Sequence, residues 1–107
     1  MTDGEFESMA DATLASLERA LEGAAPHADV LAKGTGAIEL EFEDGSKIVI
    51  NRHTAAREIW VAAKAGGFHF RSAGDAWRDT RDGTELFEAL SRLVSAQGAT
   101  LVTLAPG

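Results

Sequence analysis

The segment AIELEFEDGSKIVINR, residues 37–52, decides the fold of this chain. Its first seven residues alternate strictly, with Ile38, Leu40 and Phe42 on one side and three glutamates on the other. This is the period of a half-buried β-strand. An Asp-Gly pair at 44–45 is a strong hairpin signal, and a second alternating run follows it. We therefore predict an antiparallel hairpin with one apolar face and one face open to solvent.

The apolar pattern also constrains the register of this hairpin. A two-residue turn would place Phe42 opposite Lys47 and would mix the two faces. A three-residue loop or a bulge keeps apolar residues together and gives three pairs: Phe42 with Ile48, Leu40 with Ile50 and Glu43 with Lys47. We expect the longer loop.

The rest of the chain places helices before and after a run of strands. Residues 3–22 repeat apolar side chains at three- and four-residue steps, which predicts an amphipathic helix. A final helix is expected over 83–97, with a capping box formed by Asp82 and Glu85, and the apolar tail after it is expected to pack back on the domain. Further strands are expected at 30–33, 58–63, 68–71 and 76–79. Because consecutive strands pair in an antiparallel sheet, the pattern predicts a single α+β domain over residues 1–107. The predicted fold is a two-layer sandwich, with a sheet of about five to seven strands and two helices packed on one face.

Composition limits the classes of partner. The chain has 107 residues, a formal charge of −7 and no cysteine. An acidic surface disfavours nucleic acid and anionic membranes and suits cations or a basic protein, although acidity that serves only solubility remains an alternative. The lack of cysteine excludes disulfides and thiolate metal sites within the chain. With no membrane-length apolar run and no signal peptide pattern, we expect a cytoplasmic protein.

Catalytic motifs are missing from the sequence. His27, His53 and His69 do not form a recognisable metal-ligand spacing, and neither a nucleophile elbow nor a phosphate-binding loop pattern occurs. The glycine pair at 66–67 favours a turn over a phosphate cradle. We expect no enzyme activity.

Carboxylates on the first helix are the candidate metal ligands. At roughly 100° per residue, four acids fall within a sector of roughly 60° beside the apolar stripe: Glu7, Asp11, Glu18 and Glu22. Glu18 and Glu22, one turn apart, could form a shallow and open cation site together with Asp29. The alternative, a solvated helix face without metal, stays open.

Trp60 is the candidate anchor for a protein partner. Strand alternation places Ile59 and Val61 on the core side and Trp60 on the open side. A large aromatic side chain on an open sheet face is typical of a protein contact. The alternative is a bulge that turns Trp60 into the core.

Five stretches of the sequence together resemble the frataxin family, and most closely its bacterial branch. The stretches span nearly the whole chain: EFxxxAD at 5–11, FEDGSKIVINR at 42–52, IWVA at 59–62, KxGGFHF at 64–70 and Trp77. The resemblance implies a small α–β sandwich that acts in iron–sulfur cluster biogenesis. It also implies weak, reversible binding of Fe²⁺ and Fe³⁺ along an acidic ridge. The implied partners are the cysteine desulfurase and the cluster scaffold protein, with an effect on sulfur transfer that resembles an iron-dependent brake.

The resemblance assigns roles to particular residues. It implies six metal ligands: Glu18, Glu22, Asp29, Asp3, Glu7 and Asp11. It implies five partner-binding residues, the first two on the ridge and the others on the sheet surface: Glu18, Glu22, Asn51, Arg52 and Trp60. Five further ridge positions depart from the acidic pattern of bacterial relatives, which reduces the expected iron load: Arg19, Gly23, Ala25, His27 and Leu31.

The function implied by the resemblance is regulation of cluster assembly by a monomer that binds neither nucleic acid nor membrane. One alternative is an iron metallochaperone or iron store that delivers iron to the cluster scaffold. Another is a plain interaction module whose iron affinity was lost with its ridge acids.

Overall fold

The computed structural model describes residues 1–24, 28–98 and 101–106. One six-stranded antiparallel sheet has its strands in chain order, β1 to β6, and both helices contribute to the core on one of its faces. This confirms the predicted two-layer α+β sandwich. The elements are α1 (Asp3–Ala24), β1 (Ala28–Ala32), β2 (Ala37–Phe42), β3 (Lys47–His53), β4 (Glu58–Ala63), β5 (Gly66–Ala73), β6 (Ala76–Asp79) and α2 (Leu86–Gly98).

Helix α1 begins with a reciprocal capping box. The backbone N–H of Glu5 donates to Thr2 Oγ1 at 3.1 Å, and the backbone N–H of Thr2 donates to Glu5 Oε1 at 2.9 Å. Two of the helix-terminal groups that lack intrahelical partners are thereby satisfied. The helix then buries a single stripe against the sheet: Phe6, Ala10, Leu14, Leu17 and Leu21.

The β2–β3 hairpin has the expected three-residue loop but a different register. Leu40 lies opposite Ile48, Ile38 opposite Ile50 and Glu41 opposite Lys47. The predicted pairs, Phe42 with Ile48, Leu40 with Ile50 and Glu43 with Lys47, are therefore wrong by two residues. A two-residue shift keeps every side chain on its face, and alternation therefore could not distinguish the registers. The loop sits at 43–45 because Gly45, with φ 84°, donates its N–H to the carbonyl of Phe42 at 2.9 Å.

Helix α2 begins at Leu86, three residues after the predicted start. Glu85 is its cap, since its carboxylate accepts the N–H groups of Phe87 at 2.8 Å and Glu88 at 3.1 Å. The capping box predicted at Asp82 is wrong: this side chain accepts the N–H of Thr84 at 2.9 Å and closes a turn.

The C-terminal tail packs against α2, as predicted for its described residues. Val102 and Leu104 are buried. The hydroxyl of Ser95 accepts the N–H of Val102 at 2.8 Å, and that of Ser91 accepts the N–H of Leu104 at 2.8 Å. Neither helix described here is long and apolar enough to cross a bilayer.

Candidate functional site

Arginines engage three of the six acids predicted to bind metal. Arg57 Nη2 lies 2.8 Å from Asp3 Oδ1. Arg52 Nη1 lies 2.7 Å from Glu7 Oε2, and its Nε lies 2.8 Å from Asp11 Oδ1. Ion pairs therefore join the N-terminal half of α1 to β3 and to the turn that follows it, and these three acids already have a cationic partner.

Arg52 lies on the helix side of the sheet, so its predicted place on the open surface is wrong. It pairs in register with Ile59, a core residue, and its side chain is only 16% exposed. Adjacent strand residues point to opposite faces, so Asn51 and Arg52 cannot share a surface. Gly36 makes room for this arginine: its φ is 84°, and a Cβ there would lie 2.5 Å from Arg52 Nε.

The other three predicted ligands do not converge. Glu18 and Glu22 lie on α1 and form no salt bridge within residues 1–24, 28–98 and 101–106. Asp29 pairs in register with Glu41. Glu41 follows the core residue Leu40 and therefore lies on the open face, and Asp29 lies on the same face. No group of three histidines or acids suited to hold a metal occurs in the described part of the chain. His27, named above among the departures from the acidic pattern, lies outside that part.

Trp60 lies on the open face, half-buried and outside the hydrophobic core. Its indole is stacked between two imidazoles from neighbouring strands. The ring centroids of His53 and His69 lie 3.9 Å and 4.6 Å away, with interplanar angles of 9° and 12°. Both faces of the indole are thereby covered, and its outer edge is what a partner would meet. Asn51 lies directly opposite Trp60 in register, on the same face.

Beneath this stack lies Glu58, a buried carboxylate that the sequence reasoning missed. It is 7% exposed and accepts hydrogen bonds from Trp60 Nε1 and Arg71 Nε, both at 2.8 Å, with His69 Nδ1 at 3.3 Å. Burial acts to raise the pKa of Glu58, but the bonds from Trp60 and Arg71 and the charges of Arg71 and His69 outweigh it and lower the pKa. Its position two residues before Trp60, on the same strand face, was the available signal.

Charge is divided unevenly along the chain. Residues 1–50 contain 11 of the 17 acids and only 3 of the 10 lysines and arginines, whereas residues 51–107 contain 6 acids and 7 bases. The acidic half includes α1, β1 and β2, and the second half includes the Trp60 stack. The chain thus has an acidic N-terminal half and a nearly neutral C-terminal half.

Comparison with known proteins identifies the family. The sequence model of the frataxin-like domain matches residues 1–100. This chain belongs to the frataxin family. The iron–sulfur cluster assembly protein CyaY of Dechloromonas aromatica is 50% identical over 104 residues, covering 97% of this frataxin and 99% of that relative. The protein of the same name from Ralstonia nicotianae is 50% identical over 107 residues, covering 97% and 95%.

Solved structures agree with the fold. The frataxin from Psychromonas ingrahamii superimposes with a TM-score of 0.89 at 28% identity, covering 98% of this frataxin and 99% of that chain. Trimeric frataxin from the yeast Saccharomyces cerevisiae, complexed with ferrous iron, gives a TM-score of 0.66 at 28% identity, covering 90% and 87%. The bacterial structure therefore matches both layers of the sandwich over almost the full chain.

Proposed function

We propose that this frataxin is a cytoplasmic, non-catalytic, iron-binding regulator of iron–sulfur cluster assembly. It binds the complex of cysteine desulfurase and scaffold protein and tunes sulfur transfer in an iron-dependent way. One observation carries the proposal: relatives named iron–sulfur cluster assembly protein CyaY are half identical to this chain over almost all of its length. The arrangement of charge and aromatic side chains supports the individual contacts.

The desulfurase contact is proposed for the C-terminal half of α1. Glu18 and Glu22 carry no salt bridge to other described residues, so their charge is available to a basic partner. The excess of acids in residues 1–50 adds a field that speeds association with such a partner at low ionic strength. Asp3, Glu7 and Asp11 contribute less because Arg57 and Arg52 already neutralise them.

Iron binding is proposed at Glu18 and Glu22, which carry no ion pair to other described residues, and at Asp29. A tight site for a hard cation needs several oxygens that converge within coordination distance, and the described residues offer no such group. Iron that binds at Glu18 and Glu22, or at the separately placed Asp29, is therefore held weakly and reversibly at an exposed position. Each bound ion reduces the negative charge that meets the desulfurase, and this couples iron level to partner binding.

The scaffold contact is proposed for the open sheet face. Asn51 and Trp60 lie side by side there, and the histidines on both faces of Trp60 hold the indole in one orientation. A preorganised aromatic side chain loses little conformational entropy on binding. Arg52 is not part of this contact, since it supports α1 from the other side of the sheet.

An iron store or metallochaperone is the second candidate, and the ferrous complex of the yeast relative favours it. That relative is trimeric, whereas we propose a monomer here. The ion pairs of Asp3, Glu7 and Asp11 argue against storage in this chain, because loading those acids with iron would require breaking contacts to arginine.

A pull-down with purified cysteine desulfurase at low and at physiological ionic strength tests the proposal. We expect binding that weakens with salt and that falls in the variant Glu18→Gln/Glu22→Gln. The matched control Asp75→Asn/Glu88→Gln removes two exposed acids elsewhere and should bind as the unmodified protein does. Equal loss in both variants would assign the effect to net charge and contradict a defined contact on α1.

A further inference from the structure

We propose that the open sheet face next to Trp60 binds an acidic protein segment through Arg71 and Arg78. These two arginines lie directly opposite each other on β5 and β6. Arg71 also pairs with Glu58 on β4, and Glu58 pairs with His53 on β3. Because Glu58 lies two residues before Trp60, both arginines lie on the sheet face that carries Trp60. We call Arg71 and Arg78 the cationic patch, and His69 lies next to it on β5.

The guanidinium of Arg71 is held through its Nε and offers its two terminal nitrogens to a partner. Its Nε donates to the buried Glu58 at 2.8 Å, and among the described residues this is its one polar contact, while the side chain remains 66% exposed. An Nε bond of this kind orients the planar guanidinium and leaves both terminal nitrogens for an incoming acceptor. A carboxylate is the acceptor that matches such a fork in a bidentate way.

Arg78 adds a second exposed guanidinium beside the first. One of its terminal nitrogens donates to the carbonyl of Gly83 at 3.1 Å. Like charges directly opposite each other in an antiparallel pair destabilise the sheet. Glu58 is engaged by Trp60 and Arg71, and Glu85, which bridges to Arg78 through the backbone, is engaged as the cap of α2. Neither acid is therefore available to neutralise the exposed guanidinium groups of Arg71 and Arg78, whereas a carboxylate of a partner would do so.

A protein segment fits this patch better than a nucleic acid. Strong binding to a phosphate backbone needs many cationic contacts, and the chain as a whole carries a charge of −7. A few carboxylates of a peptide match two arginines on β5 and β6, at the opposite edge of the sheet from β1 and the glutamates of β2. The neighbouring stack of Trp60 and His69 supplies an apolar edge for the same segment.

The inference deepens the proposed scaffold contact by giving its chemistry, and in naming that partner it rests on the proposed function. It predicts that the partner's surface opposite Trp60 is acidic, while the surface opposite α1 is basic. The binding test below uses only this chain and a peptide. Its outcome therefore does not depend on whether the desulfurase or scaffold binds.

The test is a titration of the ¹⁵N-labelled protein with a blocked oligoglutamate peptide at low ionic strength, followed by amide and indole NMR shifts. We expect the largest shifts at His69, Arg71, Arg78 and the Trp60 indole N–H. Arg71→Gln/Arg78→Gln should weaken binding about fivefold, as expected for two exposed ion pairs. The control Arg92→Gln, which removes an exposed arginine on α2, should leave it unchanged.

Two further measurements keep the outcome clear. Arg78→Gln alone keeps the contact between Arg71 and Glu58, so a loss of affinity in that variant is not caused by disturbing the buried carboxylate. Equal weakening by Arg92→Gln, or shifts spread over the whole surface, would overturn the proposal. Tighter binding of a DNA duplex than of the peptide, with the same shifts, would overturn it in favour of a phosphate-binding face.

Discussion

The indole of Trp60 lies parallel to the imidazole of His53, with ring centroids 3.9 Å apart and 9° between the planes. The contact joins neighbouring strands on the solvent side of the sheet and takes no part in the core. The structure therefore separates the roles of the two tryptophans. Trp77 is 6% exposed, packs edge-on against Phe6 and donates its Nε1–H to Thr13 Oγ1 at 2.8 Å.

Replacing the two tryptophans should give unequal losses of stability. Trp60→Ala removes two stacking contacts and one hydrogen bond at a half-buried site, and we expect a loss of about 1–2 kcal/mol. Trp77→Ala empties a core position between α1 and the sheet and should cost about 3–5 kcal/mol. Urea unfolding measures both free energies. A larger loss for Trp60→Ala would mean that Trp60 serves the core and would remove the basis for a partner contact.

Arg52 should contribute more to stability than an exposed arginine does. Arg52→Met breaks contacts to Glu7 and Asp11, and because both acids are about two-fifths exposed, we expect a loss of only about 1–2 kcal/mol. Arg92→Met on α2 breaks an exposed pair with Glu88 and should cost less than about 0.5 kcal/mol. Equal losses would show that the Arg52 bridge does not hold α1 to the sheet.

The buried Glu58 predicts how stability depends on pH. Its pKa in the folded protein lies below the ordinary value of 4.5. The ionised carboxylate therefore contributes stability that is fully present above about pH 4.5 and is lost as the pH falls through the folded pKa. Unfolding free energies of the protein and of Glu58→Gln should differ most near neutrality and approach each other in acid. Glu88→Gln serves as the exposed control. A gap that stays constant with pH would contradict this assignment.

Metal titration separates Glu18, Glu22 and Asp29 from the acids that are paired with arginine. On adding Fe²⁺ without oxygen, amide shifts should move first at Glu18, Glu22 and Asp29 and less at Glu7 and Asp11. In Arg52→Met the last two should become responsive, because their cationic partner is gone. Unchanged signals at Glu18 and Glu22 at millimolar metal would exclude them as the iron site.

Strand alternation predicted the layers of this fold well because burial of one sheet face leaves a period of two in the sequence. It placed Trp60 correctly on the open side. It failed for two features that the period does not determine. The β2–β3 register differs from the predicted one by two residues, and the cap of α2 is Glu85 and not Asp82. Both depend on local hydrogen bonds of turn residues, which a hydrophobic pattern does not contain.

The candidate site was harder to predict because its contacts join distant parts of the chain. Residue spacing gave no sign that Arg52 would reach α1, 41 residues before it at Asp11. The prediction that Arg52 binds a partner on the sheet surface came from the family resemblance. Its orientation follows from strand geometry: Asn51 lies on the open face, so the adjacent Arg52 points to the helix side. The stack of His53, Trp60 and His69 likewise requires the register of three strands, which was known only from the structure.

The most direct test of the central claim is the rate of sulfide release by the cysteine desulfurase with its scaffold, measured with and without this protein at several Fe²⁺ levels. The account predicts that the protein changes the rate, that iron changes the size of the effect, and that Glu18→Gln/Glu22→Gln reduces it while Asp75→Asn/Glu88→Gln does not. A rate that is the same with and without the protein at every iron level would contradict regulation of cluster assembly.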